Sequence, residues 1–351
     1  MSEKTLRVRL GILKIGLLSV MAAILVACSA GQDRIPLILS VPTRSMSKLP
    51  FVIAEDQGLY EKHGLDVELW LGEPEFEGGV ETTRLGFWRS MGMFLHLQGA
   101  PEHDIYTDGQ TPQMVRRMTD PQTPQLLALA ATDCSVRYYV IGRPGLKSLE
   151  ELKGQRLGIG NEGSTPGFAG LRVVQRMGWD RTRDISIITK RGGMELLRKG
   201  EVDAVVGGDD DFEAAQKEGF PVLEDTRVWN EELAGNSILV SPEWLQDETH
   251  REAARRFLMA TAEAVALYHQ RPEVALDVMV RWYGMPREIA EDRYKRTDYI
   301  PRKPFPCVDG VKKTMELYDS EEMRKYKPED FYDDSFMREL DQSGFLDSLY
   351  N

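Results

Sequence analysis

The chain has 351 residues, of which 42% are apolar and 28% are charged, and its formal net charge is −12. This length predicts two domains or lobes with ample hydrophobic core. The acidic balance argues against a nucleic-acid-binding protein and against general adhesion to anionic lipid.

The N-terminal segment resembles the signal peptide of a bacterial lipoprotein. Four basic residues precede an apolar run over residues 15–27. This run is too short for a comfortable transmembrane helix. Residues 25–28 read as the lipoprotein cleavage box. We therefore expect residues 1–27 to be removed, Cys28 to carry the lipid and residues 28–34 to form a tether at a membrane, outside the cytoplasm. An uncleaved anchor with a chance cysteine is the alternative.

Removal of that segment would take away four basic residues and one acidic residue, so the formal net charge would change from −12 to −15. The two remaining cysteines, Cys134 and Cys307, could pair in an oxidising compartment. Two cysteines so far apart do not make a disulfide framework, and their pairing stays open.

Two stretches, residues 35–109 and residues 155–208, share one order of elements: strand, polar turn, helix, strand, helix, strand. Their strands are continuous apolar runs, which is typical of buried parallel strands. The sequence therefore predicts an α/β fold with two doubly wound lobes, strand order 2-1-3 in each, a hinge and an interlobe cleft. We assign residues 35–135 to the first part of lobe 1, residues 136–237 to lobe 2 with the hinge crossings, and residues 238–351 to a second, mostly helical part of lobe 1.

The loops after the first and third strands of each lobe are the candidate ligand-binding loops. In open α/β sheets, ligands bind beyond the carboxyl ends of the strands, where the winding reverses. Three of these loops open onto a helix, whose free N–H groups favour a polar ligand. The candidate ligand contacts are Arg44, Ser45, Thr107, Gly109 and Gln110 from lobe 1, and Arg137, Ser164, Thr165, Asp209 and Asp210 from the hinge and lobe 2.

Each candidate also has a structural interpretation. Arg44 and Arg137 could bind an anionic group bidentately or be solvated arginines. The Ser, Thr and Gln side chains could be turn or cap residues, and Trp70 and Trp88 could pack in lobe 1 or stack on an aromatic ligand. Residues 209–211, three consecutive aspartates, could cap the helix that follows, contact a ligand or hold a metal ion.

The glycines Gly158, Gly160 and Gly163 spell the dinucleotide-binding pattern G-x-G-x-x-G, but the first lies inside the strand and the third precedes the helix. Asp184 begins the second strand, where the pattern requires an acidic residue at its end. The neighbouring sequence GSTPG has Thr165 where a serine hydrolase has its nucleophile. The histidine spacing lacks a zinc motif. We expect no catalysis, no cofactor and no metal.

Four segments resemble solute-binding proteins of ABC importers, in the group that includes binders of aliphatic sulfonates, nitrate, taurine and thiamine pyrimidine precursors. The segments are LPFVIAEDQGLYEKHGLDVEL, LKSLEELKGQRLGIG, LLRKGEVDAVVGG and KPEDFYDDSFMREL. The resemblance implies the type II periplasmic-binding-protein fold, with hinges near residues 134–139 and 236–240. It also implies capture of a small polar organic solute and its delivery to a membrane permease driven by an ATPase, by a protein that we expect to be a monomer.

Two departures from that group bear on the solute. Residues 73–77 carry three glutamates, and three aspartates occupy residues 209–211, where many relatives have an aromatic residue or a proline. Both put sulfonate and nitrate in question. The sequence also lacks the cysteine-rich motif of the relative that makes the thiamine pyrimidine. The alternative function is a ligand-sensing or scaffold lipoprotein on the same fold, without transport.

Overall fold

A computed structural model describes residues 34–72, 76, 78–79, 104–120 and 122–351. The predicted signal peptide, the tether up to residue 33, Cys28 and Trp88 lie outside the described residues. So do the three glutamates between residues 73 and 77.

The strands follow one another along the described chain as β1 Ile35–Val41, β2 Leu65–Leu71, β3 Ile105–Gly109, β4 Leu127–Ala131, β5 Tyr139–Gly142, β6 Arg156–Gly158, β7 Ser186–Ile188, β8 Ala204–Gly207, β9 Val222–Asp225 and β10 Asn236–Val240. The α-helices are α1 Leu49–Asp56, α2 Leu59–Lys62, α3 Gln110–Thr119, α4 Thr165–Arg176, α5 Met194–Arg198, α6 Asp209–Glu218, α7 Glu248–Gln270, α8 Pro272–Tyr283, α9 Arg287–Arg296, α10 Val308–Leu317, α11 Ser335–Gln342 and α12 Phe345–Ser348.

The strands form two five-stranded sheets, one in each lobe. The order is β2-β1-β3-β10-β4 in lobe 1 and β7-β6-β8-β5-β9 in lobe 2. The first three strands of each sheet are parallel, whereas β10 in lobe 1 and β5 in lobe 2 run antiparallel to their neighbours. The predicted α/β fold with two doubly wound lobes is confirmed, including the order 2-1-3 within each lobe.

The chain crosses between the lobes twice, between β4 and β5 and between β9 and β10. The crossings run side by side, because the Val136 N–H donates to the carbonyl of Glu231 (3.1 Å) and the Leu233 N–H donates to the carbonyl of Cys134 (2.7 Å). The second crossing therefore ends before Asn236. The stretch at residues 236–240, which we predicted as a hinge, is strand β10 of the lobe 1 sheet.

The long helix α7 packs its apolar stripe into lobe 1. Phe257, Thr261, Val265 and Tyr268, which the sequence places on one stripe, are all buried. Phe257 also stacks on the ring of Tyr60, with 5.4 Å between the ring centroids. Among the helices described, none is both long and apolar enough to cross a membrane.

A disulfide joins Cys134 to Cys307, with their Cα atoms 5.3 Å apart. It links the first crossing to the start of α10. That helix contacts lobe 1 through a hydrogen bond of 3.0 Å between the hydroxyls of Thr314 and Thr111, and Tyr318, which follows it, packs on the core of lobe 2. The C-terminal part of the chain thus touches both lobes beside the hinge.

Candidate functional site

The strand ends of the two lobes face each other, and two glycines lie where the lobes meet. A Cβ atom added to Gly109 of lobe 1 would lie 3.3 Å from Cγ2 of Thr165 in lobe 2. A Cβ atom added to Gly163 of lobe 2 would lie 2.8 Å from Cγ1 of Val115 in lobe 1. The lobes are therefore in direct contact, and the structure represents a closed cleft.

Gly163→Ala should act as a wedge that opposes closure, because its methyl group would overlap with Val115 only when the lobes meet. We expect ligand affinity to fall while the melting temperature of the ligand-free protein changes little. Gly208→Ala is the matched control, since a Cβ atom there meets open space. Calorimetric titration compares the two variants. An unchanged affinity in Gly163→Ala would show that this contact does not limit closure.

In lobe 1, Arg44 and Ser45 bond to nearby parts of the same lobe. The Arg44 side chain is buried, and its Nε donates to the carbonyl of Gly72 (2.6 Å) while Nη1 donates to the carbonyl of Trp282. Burial lowers the pKa of Arg44. The hydroxyls of Ser45 and Ser47 share a hydrogen bond of 3.1 Å. These contacts fix the loop after β1, and a ligand contact by either residue stays a prediction.

Thr107 and Gln110 are fully buried at the end of β3 and the start of α3. The Thr107 hydroxyl donates to the carbonyl of Ser40 (2.8 Å), and Nε2 of Gln110 donates to the carbonyl of Phe331 (2.6 Å). Both side chains therefore tie neighbouring elements together. Gly109, between them, is the predicted residue that directly meets lobe 2.

In lobe 2, Ser164 is the N-cap of α4. Its hydroxyl accepts from the Gly167 N–H (3.2 Å) and donates to the carbonyl of Asn161 (2.5 Å), which is the cap role that we considered for it. Thr165, at the first helical position, accepts a hydrogen bond of 2.5 Å from the hydroxyl of Tyr138. Burial raises the pKa of Tyr138, so this phenol stays a neutral donor.

The three glycines of the G-x-G-x-x-G pattern have three separate local roles. Gly158 ends β6, Gly160 has a positive φ of 67°, and Gly163 makes the close approach to lobe 1. The helix begins only at Thr165. Asp184 lies before β7 and pairs with Arg183. Gly163 and Asp184 depart from the dinucleotide fingerprint as the sequence predicts. Gly158 does not, because it ends the strand as the fingerprint requires, and the prediction that it lies inside the strand was wrong.

The same loop lines one side of a crevice in lobe 2, with a volume of about 260 Å³. Its lining also includes Lys190 and Arg191, from the loop after β7, and Asp211, from the first turn of α6. Lys190 is paired with Glu201. The crevice lies at the carboxyl ends of β6 and β7, beside the interlobe cleft.

The aspartates at residues 209–211 do not form a side-chain cap on α6, whose N-cap is Gly208. Instead, the carboxylate of Asp209 accepts from Nη1 of Arg296 (2.8 Å), and that of Asp210 pairs with Arg293. Both arginines belong to α9, which packs on lobe 1. The third, Asp211, accepts from the Met194 N–H (3.0 Å) within lobe 2. In the closed cleft, Asp209 and Asp210 therefore bind the opposite lobe. Whether either also touches ligand stays a prediction.

Arg137, in the first crossing, lies over an aromatic ring. Its guanidinium carbon is 3.4 Å from the ring centroid of Tyr299, and its Nη2 donates to the carbonyl of Arg296 (3.1 Å). Burial raises the pKa of Tyr299, so the ring under the guanidinium is neutral. Arg137 thus connects the hinge to the segment after α9, and contact with an anionic ligand stays a prediction.

Asp133 is a second charged group at the hinge. Its Oδ1 accepts from both the backbone N–H (2.9 Å) and the hydroxyl (3.0 Å) of Ser135. Burial raises the pKa of Asp133 from 3.8 to about 6, against the opposing effect of the Ser135 hydrogen bonds and Arg137. The folded protein therefore holds this proton more tightly than the unfolded chain does.

The raised pKa of Asp133 predicts a loss of stability as the pH rises from 3.8 to about 6. The protonated group is favourable in the folded state below that window, and above it the folded protein carries a partly buried charge. Asp133→Asn keeps the Oδ1 acceptor and cannot ionise. We expect the free energy of unfolding of this variant, relative to that of the wild type, to rise by about 2–3 kcal/mol between pH 4 and pH 7. Urea denaturation at several pH values measures the difference, and parallel curves for the two proteins would refute it.

Three polar residues at the same edge of lobe 1 were missed by the sequence analysis: Lys48, Asp108 and Asn236. The Lys48 side chain is 4% exposed, and its Nζ lies 3.6 Å from Oδ1 of Asp108. Burial lowers the pKa of Lys48, while Asp108 counteracts that effect. Asp108 lies between two of the predicted residues, Thr107 and Gly109. Its position near the end of strand β3, in a predicted ligand-binding loop, was the available signal. In the part of the chain that the structure describes, no group of three or more metal-binding side chains occurs.

Comparisons with known proteins agree with this geometry. The family model described as NMT1/THI5 like matches residues 125–275. No curated protein sequence matches the chain. The periplasmic aliphatic sulphonate binding protein SsuA from Escherichia coli is similar in structure, with a TM-score of 0.59 and 18% identity, over 81% of this chain and 87% of that one.

The periplasmic nitrate-binding protein NrtA from Synechocystis PCC 6803 has a TM-score of 0.64 at 14% identity, over 89% of each chain. The desulfurization enzyme DSZB has a TM-score of 0.61 at 12% identity, over 88% of this chain and 100% of its own. The chain therefore has the two-lobed fold of periplasmic binding proteins, and its similarity to the NMT1/THI5-like family confirms the resemblance to this group of ABC solute-binding proteins that the sequence indicates.

Proposed function

We propose that the protein is an extracytoplasmic solute-binding lipoprotein, which captures a small polar organic solute and delivers it to an ABC importer. The NMT1/THI5-like match and the fold shared with SsuA and NrtA support the binding role. The signal-like N-terminal segment with Cys28 supports the lipid anchor. The disulfide supports a location outside the cytoplasm, because such bonds persist in oxidising compartments.

The closed cleft is the observation that carries this proposal. Gly109 and Gly163 allow the lobes to touch, and two arginines of α9 bind carboxylates of α6 from the opposite lobe. A ligand drives such closure only by binding the closed form better than the open form. Closure around a solute by rotation about two crossings is a known mode of hinge motion.

The test is a thermal-shift screen of the chain from residue 28, with sulfonates, carboxylates, aromatic acids, pyrimidines and amines. A ligand at 100 times its dissociation constant should stabilise the protein by about 2.7 kcal/mol. Gly163→Ala should reduce the shift, whereas Gly208→Ala should keep it. If no compound of a broad panel shifts the melting temperature, the binding proposal fails.

Catalysis is the second candidate function, because the neighbour DSZB is an enzyme with this fold. The two functions differ in the fate of the compound that binds. Mass spectrometry of each stabilising compound after prolonged incubation distinguishes them. Recovery of the compound unchanged supports binding alone, and conversion to a product supports an enzyme.

A further inference from the structure

The helix α10 is fastened to both interlobe crossings at its start. Cys307, the N-cap of α10, forms the disulfide with Cys134 of the first crossing. Gly310, one turn further along, lies against the second crossing, because a Cβ atom added there would overlap with the backbone of Leu233. The start of α10 is therefore held at the hinge twice, by a covalent bond to one crossing and by close packing on the other.

Beyond its start, α10 packs on lobe 1 and reaches lobe 2. Val311 is fully buried in one apolar cluster with Met114 of α3, which belongs to lobe 1. Tyr318, which follows the helix, donates its hydroxyl hydrogen bond (2.5 Å) to the carbonyl of Glu162. That carbonyl lies in the glycine-rich loop of lobe 2, beside Gly163, which makes the close approach to lobe 1. The helix thus connects the hinge to a loop that borders the cleft.

The bond between Tyr318 and Glu162 depends on the closed position of the lobes. Tyr318 comes eleven residues after Cys307, which corresponds to about 16 Å along a helix. A rotation about the crossings moves groups at that distance much more than groups at the hinge itself. Opening of lobe 2 away from lobe 1 therefore separates Tyr318 from the Glu162 carbonyl, while the contacts at the start of α10 are kept.

We propose that the Cys134–Cys307 disulfide is a redox-sensitive switch of cleft closure. The oxidised bond fixes α10 on the first crossing, so that Tyr318 holds the glycine-rich loop in the closed cleft. Reduction releases the start of α10, weakens that hold and shifts the lobes toward the open form. This inference goes beyond solute capture, because it concerns the equilibrium between open and closed lobes and needs no particular solute.

The reductant for this switch is a dithiol. Cys134 is the more accessible of the two cysteines, because it is half-buried and lines a hinge cavity of about 700 Å³, whereas Cys307 is 1% exposed. A thiolate of the dithiol attacks Sγ of Cys134, the S–S bond breaks, and Cys307 leaves as a thiolate that takes up a proton. The second thiolate then displaces Cys134, which is protonated in turn. The dithiol becomes a disulfide, and the protein gains two electrons and two protons.

The first test is small-angle scattering of the ligand-free chain from residue 28, with Cys28→Ser so that only the two paired cysteines remain. The oxidised protein is compared with the protein reduced by dithiothreitol, at a temperature where circular dichroism shows both to be folded. We expect the radius of gyration to rise on reduction. Cys134→Ser/Cys307→Ser should have the larger radius with and without reductant. An unchanged radius after complete reduction overturns the inference.

The second test uses the reciprocity of coupled equilibria, because a change that opposes closure must make the disulfide easier to reduce. Tyr318→Phe removes the hydrogen bond to Glu162 and keeps the ring. We expect its equilibrium constant for reduction by dithiothreitol to rise by about 10-fold, which makes the midpoint potential about 30 mV less negative. Tyr60→Phe is the matched control, since the Tyr60 hydroxyl donates to the carbonyl of Phe51 (3.1 Å) within lobe 1.

The wedge variant Gly163→Ala should shift the midpoint in the same direction as Tyr318→Phe, and Gly208→Ala should leave it unchanged. Alkylation of free thiols followed by mass spectrometry measures the reduced fraction in each dithiothreitol buffer. Equal midpoints in Tyr318→Phe and Tyr60→Phe would overturn the link between the bond and closure. Because none of these measurements uses a solute, their failure would leave the binding proposal to its own screen.

Discussion

Loss of the Cys134–Cys307 disulfide is expected to lower the free energy of unfolding by about 2–5 kcal/mol. The bond closes a loop of 173 residues, and a cross-link over a long loop restricts the unfolded chain strongly. It also holds the first crossing against the start of α10, which touches both lobes. Urea denaturation of Cys134→Ser/Cys307→Ser against the wild type measures the loss.

Dithiothreitol provides the control for that prediction. Reduction should bring the melting temperature of the wild type down to that of the double variant, and should leave the double variant unchanged. Because the described chain keeps only these two cysteines, any further effect of the reductant would be unrelated to the bond. A wild type that melts at the same temperature with and without reductant would contradict the predicted contribution.

Glu213→Gln is expected to weaken ligand binding by about 10- to 100-fold, by destabilising the closed form. Glu213 accepts from Nε (3.0 Å) and Nη2 (3.2 Å) of Arg293 and from Nη2 of Arg296 (2.8 Å), across the cleft. The Arg293 side chain is only 6% exposed, and although Asp210 still pairs with it, loss of the Glu213 carboxylate weakens the compensation of this buried charge when the lobes meet. Although burial opposes it, the carboxylate of Asp209 raises the pKa of Arg296, which therefore stays charged.

The exposure of Glu213, at 30%, reduces the cost from that of a fully buried pair to about 1.4–2.8 kcal/mol, which corresponds to the 10- to 100-fold change in affinity. Glu218→Gln is the matched control. It lies on the same helix and also pairs with an arginine, Arg198 (2.6 Å), but within lobe 2. Small-angle scattering of the ligand-free proteins adds a measurement that needs no ligand. If Glu213→Gln matched Glu218→Gln in both affinity and radius of gyration, the cross-lobe pairs would have no part in closure.

The fold was largely predictable because its strands are local apolar runs with turns on either side. The bounds of β1 and β2 agree with the runs IPLILSV and LDVELWL, and the helical stripe of α7 is buried as expected. The segment at residues 49–64 reads as one helix in the sequence, but it is divided at Gly58, whose φ is 65°, because a glycine at a positive φ ends one helix before the next begins. The second crossing was predicted too late in the chain, because a short apolar run does not indicate which of the two sheets its strand joins.

The candidate site was predictable only at the level of its loops. Thr165, Gly109, Asp209 and Asp210 do lie where the lobes meet, but most of the other polar candidates bond to the backbone of their own lobe. Their partners come from distant parts of the chain, so local sequence could not show them. The pairing of α6 with α9 depends on the relative position of two lobes, which no local pattern encodes.

The two crossings are bonded to each other, and this has a consequence for any partner that recognises the protein. Sliding one lobe past the other would break the bonds of Val136 and Leu233, whereas rotation about the shared connection preserves them. The open and closed states of the cleft therefore differ mainly in the angle between the two lobes. A receptor surface that touches both lobes from outside could sense a filled cleft by that angle, without ever contacting the solute.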